Sequence, residues 1–309
     1  MDETDLRLLA ILNANSRLPF RELAEKLGIS VQAVHRRVQD LTQSHVISCF
    51  TANLSIKYLK AVPIGVSGIS RVDNLQEVLK ELGNHDSTVI VHGSGDFVSI
   101  MALLRSISDL EEYVAFVKKT LLMEKPAVGL PAAMGYATLE RAAAPEVPFE
   151  LSPLDYRMIL SLHRNSRKEI VEIAQELGVS AATVKRRLAR LVDARAVEFS
   201  TEFHPGDQNG FSTMTILRLR SGTDKGPFFA QLKEKYGPRI IFMSTFSNDP
   251  DAVSLFMWSA SMKDSRDMEA SFRTDPSVES CNHYIIQYKH QFPTWRAKLL
   301  EQKAKEGVK

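Results

Sequence analysis

The most constraining feature of this 309-residue chain is a segment written twice, 150 positions apart and with no gap. Residues 20–47 read FRELAEKLGISVQAVHRRVQDLTQSHVI, and residues 170–197 read IVEIAQELGVSAATVKRRLARLVDARAV. Between Asp5/Asp155 and Leu41/Leu191 about fifteen positions are identical, a self-similarity that marks each copy as one folding unit. The shared residues include Asn15-Ser16-Arg17 with Asn165-Ser166-Arg167, and Leu27-Gly28 with Leu177-Gly178. Ser30, Arg36, Arg37 and Leu41 recur as Ser180, Arg186, Arg187 and Leu191.

Within each copy the pattern predicts two short helices and a tight turn. Apolar residues at 20, 23, 24 and 27 lie on one helix face. Gly28 suits the left-handed conformation that ends a helix. Ser30 suits the N-cap of the next helix, which buries Val31, Val34, Val38 and Leu41. The opposite side carries Gln32, Arg36, Gln39 and Gln43, flanked by His35 and Arg37. A helical pair whose second member has a cationic, amide-rich face describes a helix-turn-helix. Such a helix enters the major groove, where Arg pairs with guanine, Gln pairs with adenine, and flanking cations meet phosphates. Candidate DNA contacts are Ser30, Gln32, His35, Arg36, Arg37 and Gln39 in repeat one. In repeat two they are Ser180, Lys185, Arg186, Arg187 and Arg190.

A net charge of +2 is too mild for non-specific coating of nucleic acid, so any DNA affinity must come from local patches. Cys49 and Cys281 are the two cysteines, with no CxxC, so neither a disulfide framework nor a zinc site is supported. No catalytic residues, metal site or cofactor are expected. The N-terminus MDETDLRLL lacks a basic, apolar signal and no apolar run reaches membrane-span length, so the chain reads as cytoplasmic.

Residues 4–13 predict a first helix through Leu8, Leu9 and Leu12, echoed by Met158, Ile159 and Leu162. Val46, Ile47, Phe50 and Leu54 predict a strand forming the wing of a winged helix. Beyond it, residues 61–70 alternate as a strand and Leu75, Val78, Leu79 and Leu82 space as a helix. Residues 89–91 predict a strand, 92–96 a turn, 97–104 a strand, 110–121 a helix and 127–139 a closing strand. This βαββαβ order is ferredoxin-like, with two helices on one face of an antiparallel sheet and an apolar face left for a partner sheet. Residues 142–153 read as a proline-rich linker, after which the layout repeats. The tail from Arg296 is cationic, helix-prone and expected to fray. The expected fold class is α+β, a tandem duplication. Its parts are a winged helix-turn-helix at 1–56, a βαββαβ domain at 57–141, a linker with a second helix-turn-helix at 142–204, and a second βαββαβ domain with a basic tail at 205–309.

The segments DLRLLAIL, NSR, ELAEKLGIS, HRRVQDL and VI, followed by VHGSGDFVSI, resemble the Lrp/AsnC (feast/famine) transcription regulators. The resemblance covers nearly all of residues 4–140 and, less closely, 152–290. It implies double-stranded DNA as partner and RAM-type βαββαβ domains that pair sheet to sheet. It also implies a small effector, often an amino acid, bound near a Gly-x-x-Asp turn, which here is Gly93, Gly95 and Asp96. The second half departs from that turn, with Ser247-Asn248-Asp249-Pro250-Asp251 in its place. The bland reading of Gly93–Asp96 is a tight strand connection.

Two such units in one chain imply either that the companion domains pair within the chain or that two chains assemble as a homo-oligomer presenting four DNA-binding units. Gln32 and Gln39 become Ala182 and Ala189, His35 becomes Lys185, and Asp40 and His45 become Arg190 and Arg195. Repeat one therefore has more capacity to discriminate bases, and repeat two leans toward phosphate. A competing reading comes from the sirohaem decarboxylases, which resemble the same family in fold. In it, cationic residues would bind tetrapyrrole carboxylates and a histidine would do acid–base work. Against it, no His/Arg cluster stands out in the companion domains. A DNA-free partner that titrates a related regulator is a third reading, without a positive signal.

Overall fold

The structure is a computed structural model that describes residues 1–135, 150–204 and 210–306. Most of the linker expected at 142–153, and the end of the strand expected at 127–139, lie outside the described residues.

Repeat one comprises α1 (Glu3–Ala14), α2 (Phe20–Leu27), α3 (Val31–Gln43), β1 (Ile47–Leu54), β2 (Val62–Ile69), α4 (Leu75–Glu81), β3 (Thr88–Ser94), β4 (Phe97–Leu104), α5 (Leu110–Leu121), β5 (Ala127–Gly129) and β6 (Pro131–Gly135). Repeat two comprises α6 (Pro153–Leu162), α7 (Ile170–Leu177), α8 (Ala181–Asp193), β7 (Val197–Phe203), β8 (Phe211–Leu219), α9 (Lys225–Tyr236), β9 (Ile240–Phe246), β10 (Ala252–Ser259), α10 (Met262–Arg273), β11 (Val278–Ile285), β12 (Tyr288–Gln291) and α11 (Trp295–Glu306). They form two compact units, and each unit draws on both repeats. One takes described residues within 2–61, 140–204 and 295–309, the other those within 62–139 and 205–294.

In the first, helical unit the opening helices start in the same way. Asp2 and Asp5 exchange side-chain-to-backbone hydrogen bonds at the start of α1, and Ser152 and Asp155 do so at α6. Leu8, Leu9 and Leu12 are buried on α1, and Met158, Ile159 and Leu162 on α6. The strand expected as a wing is corrected. β1 pairs antiparallel with β7 of the other repeat, and these two strands make a sheet of their own. Ala52 and Leu54 of β1 join the core of repeat two. The frayed tail is also corrected: α11 is a helix whose Leu300 is buried in that same core, and Ala304 is buried as well.

In the second unit each half keeps the ferredoxin-like strand order, β5-β2-β4-β3 in one sheet and β11-β8-β10-β9 in the other. α4 and α5 bury Leu75, Leu79, Tyr113 and Val117 against the first sheet. α9 and α10 bury Phe228, Leu232, Met268 and Phe272 against the second. The single closing strands are corrected. Each is followed by a further strand that crosses to the other half, so β6 extends the second sheet beside β9 and β12 extends the first beside β3. The exchange satisfies edge backbone groups that would otherwise stand open. Asn248 fastens one crossover, accepting from the Leu130 amide at 2.8 Å and donating to the Val128 carbonyl at 2.7 Å. Gln287 fastens the other, its Oε1 accepting from the Gly95 amide at 3.0 Å and its own backbone amide donating to the Gly93 carbonyl at 2.9 Å.

The faces away from the helices meet within the one chain. Phe97 stacks on Tyr284 at 3.7 Å with the planes 2° apart, and His92 stacks on Phe256 at 4.9 Å. Among the described residues no helix is long and apolar enough to cross a membrane.

Candidate nucleic-acid interface

The two helix-turn-helix pairs are built alike. Gly28 and Gly178 both take φ +67°, with open space where a Cβ would stand, so the conformation and not crowding requires glycine. Ser30 Oγ accepts from the Ala33 amide at 3.1 Å, and Ser180 Oγ from the Thr183 amide at 3.1 Å. α3 buries Val34, Val38 and Leu41, and α8 buries Val184, Leu188 and Leu191. That leaves Gln32, His35, Arg36 and Gln39 exposed on α3, and Ala182, Lys185, Arg186, Ala189 and Arg190 exposed on α8. Arg36 lies 3.8 Å from Asp40, both well exposed. The His35 ring rests against Phe20, centroids 5.0 Å apart.

Arg37 and Arg187 are not on that face, which corrects their expected role. Arg37 Nη1 donates to Asp5 at 2.6 Å and Asp2 at 3.0 Å. Arg187 Nη1 donates to Ser152 Oγ at 2.8 Å and Asp155 at 3.0 Å. Both are half-buried and tie the second helix of the motif to the start of the first helix of their repeat. The two ties are alike: the side chains of the matching carboxylates Asp5 and Asp155 are 13% and 5% exposed, and repeat one adds the exposed Asp2. Residue type alone did not separate Arg36 from Arg37. The repetition of Asp5 as Asp155 was the signal for a partner.

Sequence reasoning saw Asn-Ser-Arg repeated without finding its role, which is the seam between repeats. Ser16 and Ser166 share a buried hydrogen bond at 2.5 Å. Arg167 Nη1 donates to the Ser16 carbonyl at 2.6 Å and the Leu18 carbonyl at 3.1 Å. Reciprocally, Arg17 Nη1 donates to the carbonyls of Ser166 and, at 3.1 Å, Lys168. Arg167 also lies over the Phe20 ring at 4.4 Å, and Arg17 over Phe199 at 5.8 Å. The β1–β7 register places Phe50 opposite Thr201 and Thr51 opposite Ser200, so counterparts pair about a common centre. The seam is self-complementary, as at the interface of a two-fold dimer.

The AsnC-type helix-turn-helix domain matches this chain twice, at residues 1–42 and 151–192. The HTH-type transcriptional regulator Ptr1 of Methanocaldococcus jannaschii is 35% identical over 119 residues, spanning 37% of this chain and 80% of that protein. The HTH-type transcriptional regulator LrpA of Pyrococcus horikoshii is 34% identical over 119 residues, spanning 37% of this chain and 84% of that protein. The chain belongs to the Lrp/AsnC family of transcriptional regulators. In fold, its whole length is similar to the siroheme decarboxylase NirDL, with a TM-score of 0.58 over 99% of both chains at 11% identity.

For an Lrp/AsnC chain the turn after β3 is the other place of interest. The strand runs further than expected, taking in His92, Gly93 and Ser94. A Cβ on Gly93 would stand 2.9 Å from Leu79 Cδ1 and 3.2 Å from the Tyr288 ring, so α4 and β12 crowd that position. Gly95 takes φ +58° in the open turn. Exposed Asp96 accepts from the Ser70 amide through its carbonyl at 2.8 Å. Burial and the Asp96 charge raise the nearby Tyr284 hydroxyl above its ordinary range. The turn of the second half is occupied by its own side chains, with Asn248 in the crossover and Asp249 in a two-point ion pair with Arg218 at 2.6 and 3.1 Å.

Proposed function

We propose that this Lrp/AsnC chain is a sequence-specific DNA-binding regulator, not an enzyme, that offers α3 and α8 to successive major grooves as a single-chain counterpart of a dimer. What carries the reading is the self-complementary seam at Ser16/Ser166 and Arg17/Arg167, which joins two like-built helix-turn-helix pairs. In this reading Gln32, Arg36 and Gln39 meet base edges, with His35 beside them. Lys185, Arg186 and Arg190 meet phosphates, Ser30 and Ser180 set the helix starts, and Arg37 and Arg187 position the helices. Residues 1–56 and 142–204, joined by α11, handle DNA, and 57–141 with 205–294 handle assembly. A cytoplasmic site of action follows from the partner. An effector, such as an amino acid, is assigned to the turn of Gly93, Gly95 and Asp96, where it would meet Gln287 on the Gly95 amide, because the second half lacks the glycines.

The test is a genome-wide pull-down of DNA fragments by the full chain, followed by footprinting at two salt concentrations. Discrete protected sites with phased half-sites are expected. The likeness of fold to a siroheme decarboxylase motivates a second reading, tetrapyrrole chemistry. A coloured tetrapyrrole complex together with no DNA protection would favour it over the regulator.

A further inference from the structure

Resting on that reading, we infer that the operator is directional. Repeat one reads bases, and repeat two is a sequence-tolerant anchor on the phosphates.

Three observations carry this. First, residues 20–47 and 170–197 have the same burial class at every position, so the two surfaces differ in chemistry and not in presentation. At matched exposed positions Gln32 and Gln39 of α3 stand as Ala182 and Ala189 on α8. A Gln amide offers a donor and an acceptor to adenine, whereas an Ala methyl offers only apolar contact with a thymine methyl. Second, α8 carries four cations and one carboxylate, while α3 carries two cations and one carboxylate. Arg37 and Arg187 are consumed internally, and Arg36 has Asp40 at 3.8 Å where repeat two has Arg190 in the acid's place. By residue count α8 is therefore more cationic than α3, and charge meets phosphate without regard to sequence.

Third, the second helix-turn-helix is more firmly mounted. Arg37 and Arg187 are held alike by Asp5 and Asp155, but in repeat two α11 also packs on α6 with Leu300 in the core. Arg296 on α11 also donates at 3.1 Å both to the Leu54 carbonyl and to Glu198 of β7. Glu198 in turn accepts from Ser55 and the Ile56 amide. A rigid, cationic module suits an anchor. Because both modules belong to one chain, the reader and the anchor cannot trade places, as identical subunits of a homodimer do. The bound site then has a polarity.

The test uses the full chain and two-arm duplexes derived from a footprinted site, with each arm randomised in turn. Randomising the arm under repeat one is expected to weaken binding by about tenfold or more, and the other arm by less than about threefold. Gln32→Ala with Gln39→Ala identifies the reader's arm by reducing preference there alone, to what Arg36 retains. Ala182→Gln with Ala189→Gln creates preference in the other arm. Lys185→Ala with Arg190→Ala weakens all duplexes alike and makes the salt dependence shallower, by about one logarithmic unit of slope for each phosphate left without its cation. These side chains are exposed, and unchanged thermal melts show that the variants fold. Equal losses from the two arms, a palindromic consensus, or Gln variants that leave both arms' preferences intact would overturn the inference while leaving the regulator standing. Absence of any sequence-preferring binding would overturn the regulator itself.

Discussion

His92 is the residue at which burial and chemistry conflict most. Its ring stacks on Phe256 between the sheets, and its Nε2 is buried without a hydrogen-bond partner. Burial, with the charge of its strand neighbour Lys289 adding to it, pushes the imidazole down to about 3. The unfolded chain therefore holds the extra proton between about pH 6.5 and that value. Stability from this residue is complete above about pH 6.5 and declines as pH falls toward 3, by about 1.4 kcal/mol per unit. Roughly 2 kcal/mol is lost between pH 7 and pH 5. His92→Phe should hold its stability at pH 7, since it removes an orphaned nitrogen, and show a flatter acid limb in denaturant unfolding. Burial depresses His283 and His290 in the same direction, so some slope remains in the variant. Parallel acid limbs would clear His92 of the effect. The arginine ties give a second expectation at this scale. Asp155→Ala strands a half-buried guanidinium and should cost about 2–3 kcal/mol. Asp2→Ala, at an exposed site, should cost below about 1 kcal/mol. Urea melts of the two variants compare a nearly buried carboxylate partner with an exposed one, Asp5 still holding Arg37 in the second case.

Among the elements, those whose information is local were legible and those whose partners are remote were not. The helix-turn-helix pairs stood out because period, Gly28/Gly178 and Ser30/Ser180 agree in both copies. The βαββαβ order was likewise readable from alternation and helical spacing. Nothing local in β6 or β12 says that each pairs with the opposite half, because strand pairing is decided by an edge more than a hundred residues away. α11 carries Trp295, Leu299, Leu300 and Ala304 along a helix otherwise rich in Lys and Glu, so its charge masked a short apolar stripe. In the candidate interface the exposed polar positions followed from helical phase. Arg37 did not, because it sits at the border of the buried face and its partner lies on another helix. The exchange of strands depends on a close approach at Gly129, where a Cβ would come within 2.3 Å of the Phe246 ring. Gly129→Ala should therefore cost about 1–3 kcal/mol. The cost should shrink in a Phe246→Leu background, where the smaller side chain yields. Equal costs in both backgrounds, read by a double-mutant cycle of thermal melts, would place the strain elsewhere.

For the whole molecule the question is what joining two DNA-binding modules achieves. Two linked modules bind a two-arm site more tightly than either alone, because the second arm is engaged at the high effective concentration set by the first, provided that the geometry is held. The seam is the part that holds it. Arg17 and Arg167 each reach carbonyls of the other repeat and lie over its rings, and Ser16 meets Ser166 between them. Arg17→Ala with Arg167→Ala removes both crossings and leaves the exposed faces of α3 and α8 untouched. The duplication keeps the modules on one chain, so they do not part. What they lose is part of what fixes spacing and orientation, the β1–β7 ladder remaining. Affinity for a two-arm duplex should fall by about tenfold to a hundredfold, while affinity for each single arm stays as in the parent chain. Fluorescence anisotropy with two-arm and one-arm duplexes at one salt concentration reads both quantities. Matched losses on one-arm and two-arm duplexes would mean that the substitutions damage the modules themselves. An unchanged two-arm affinity would mean that covalent connection alone couples the arms, and the seam would then matter for stability and not for spacing.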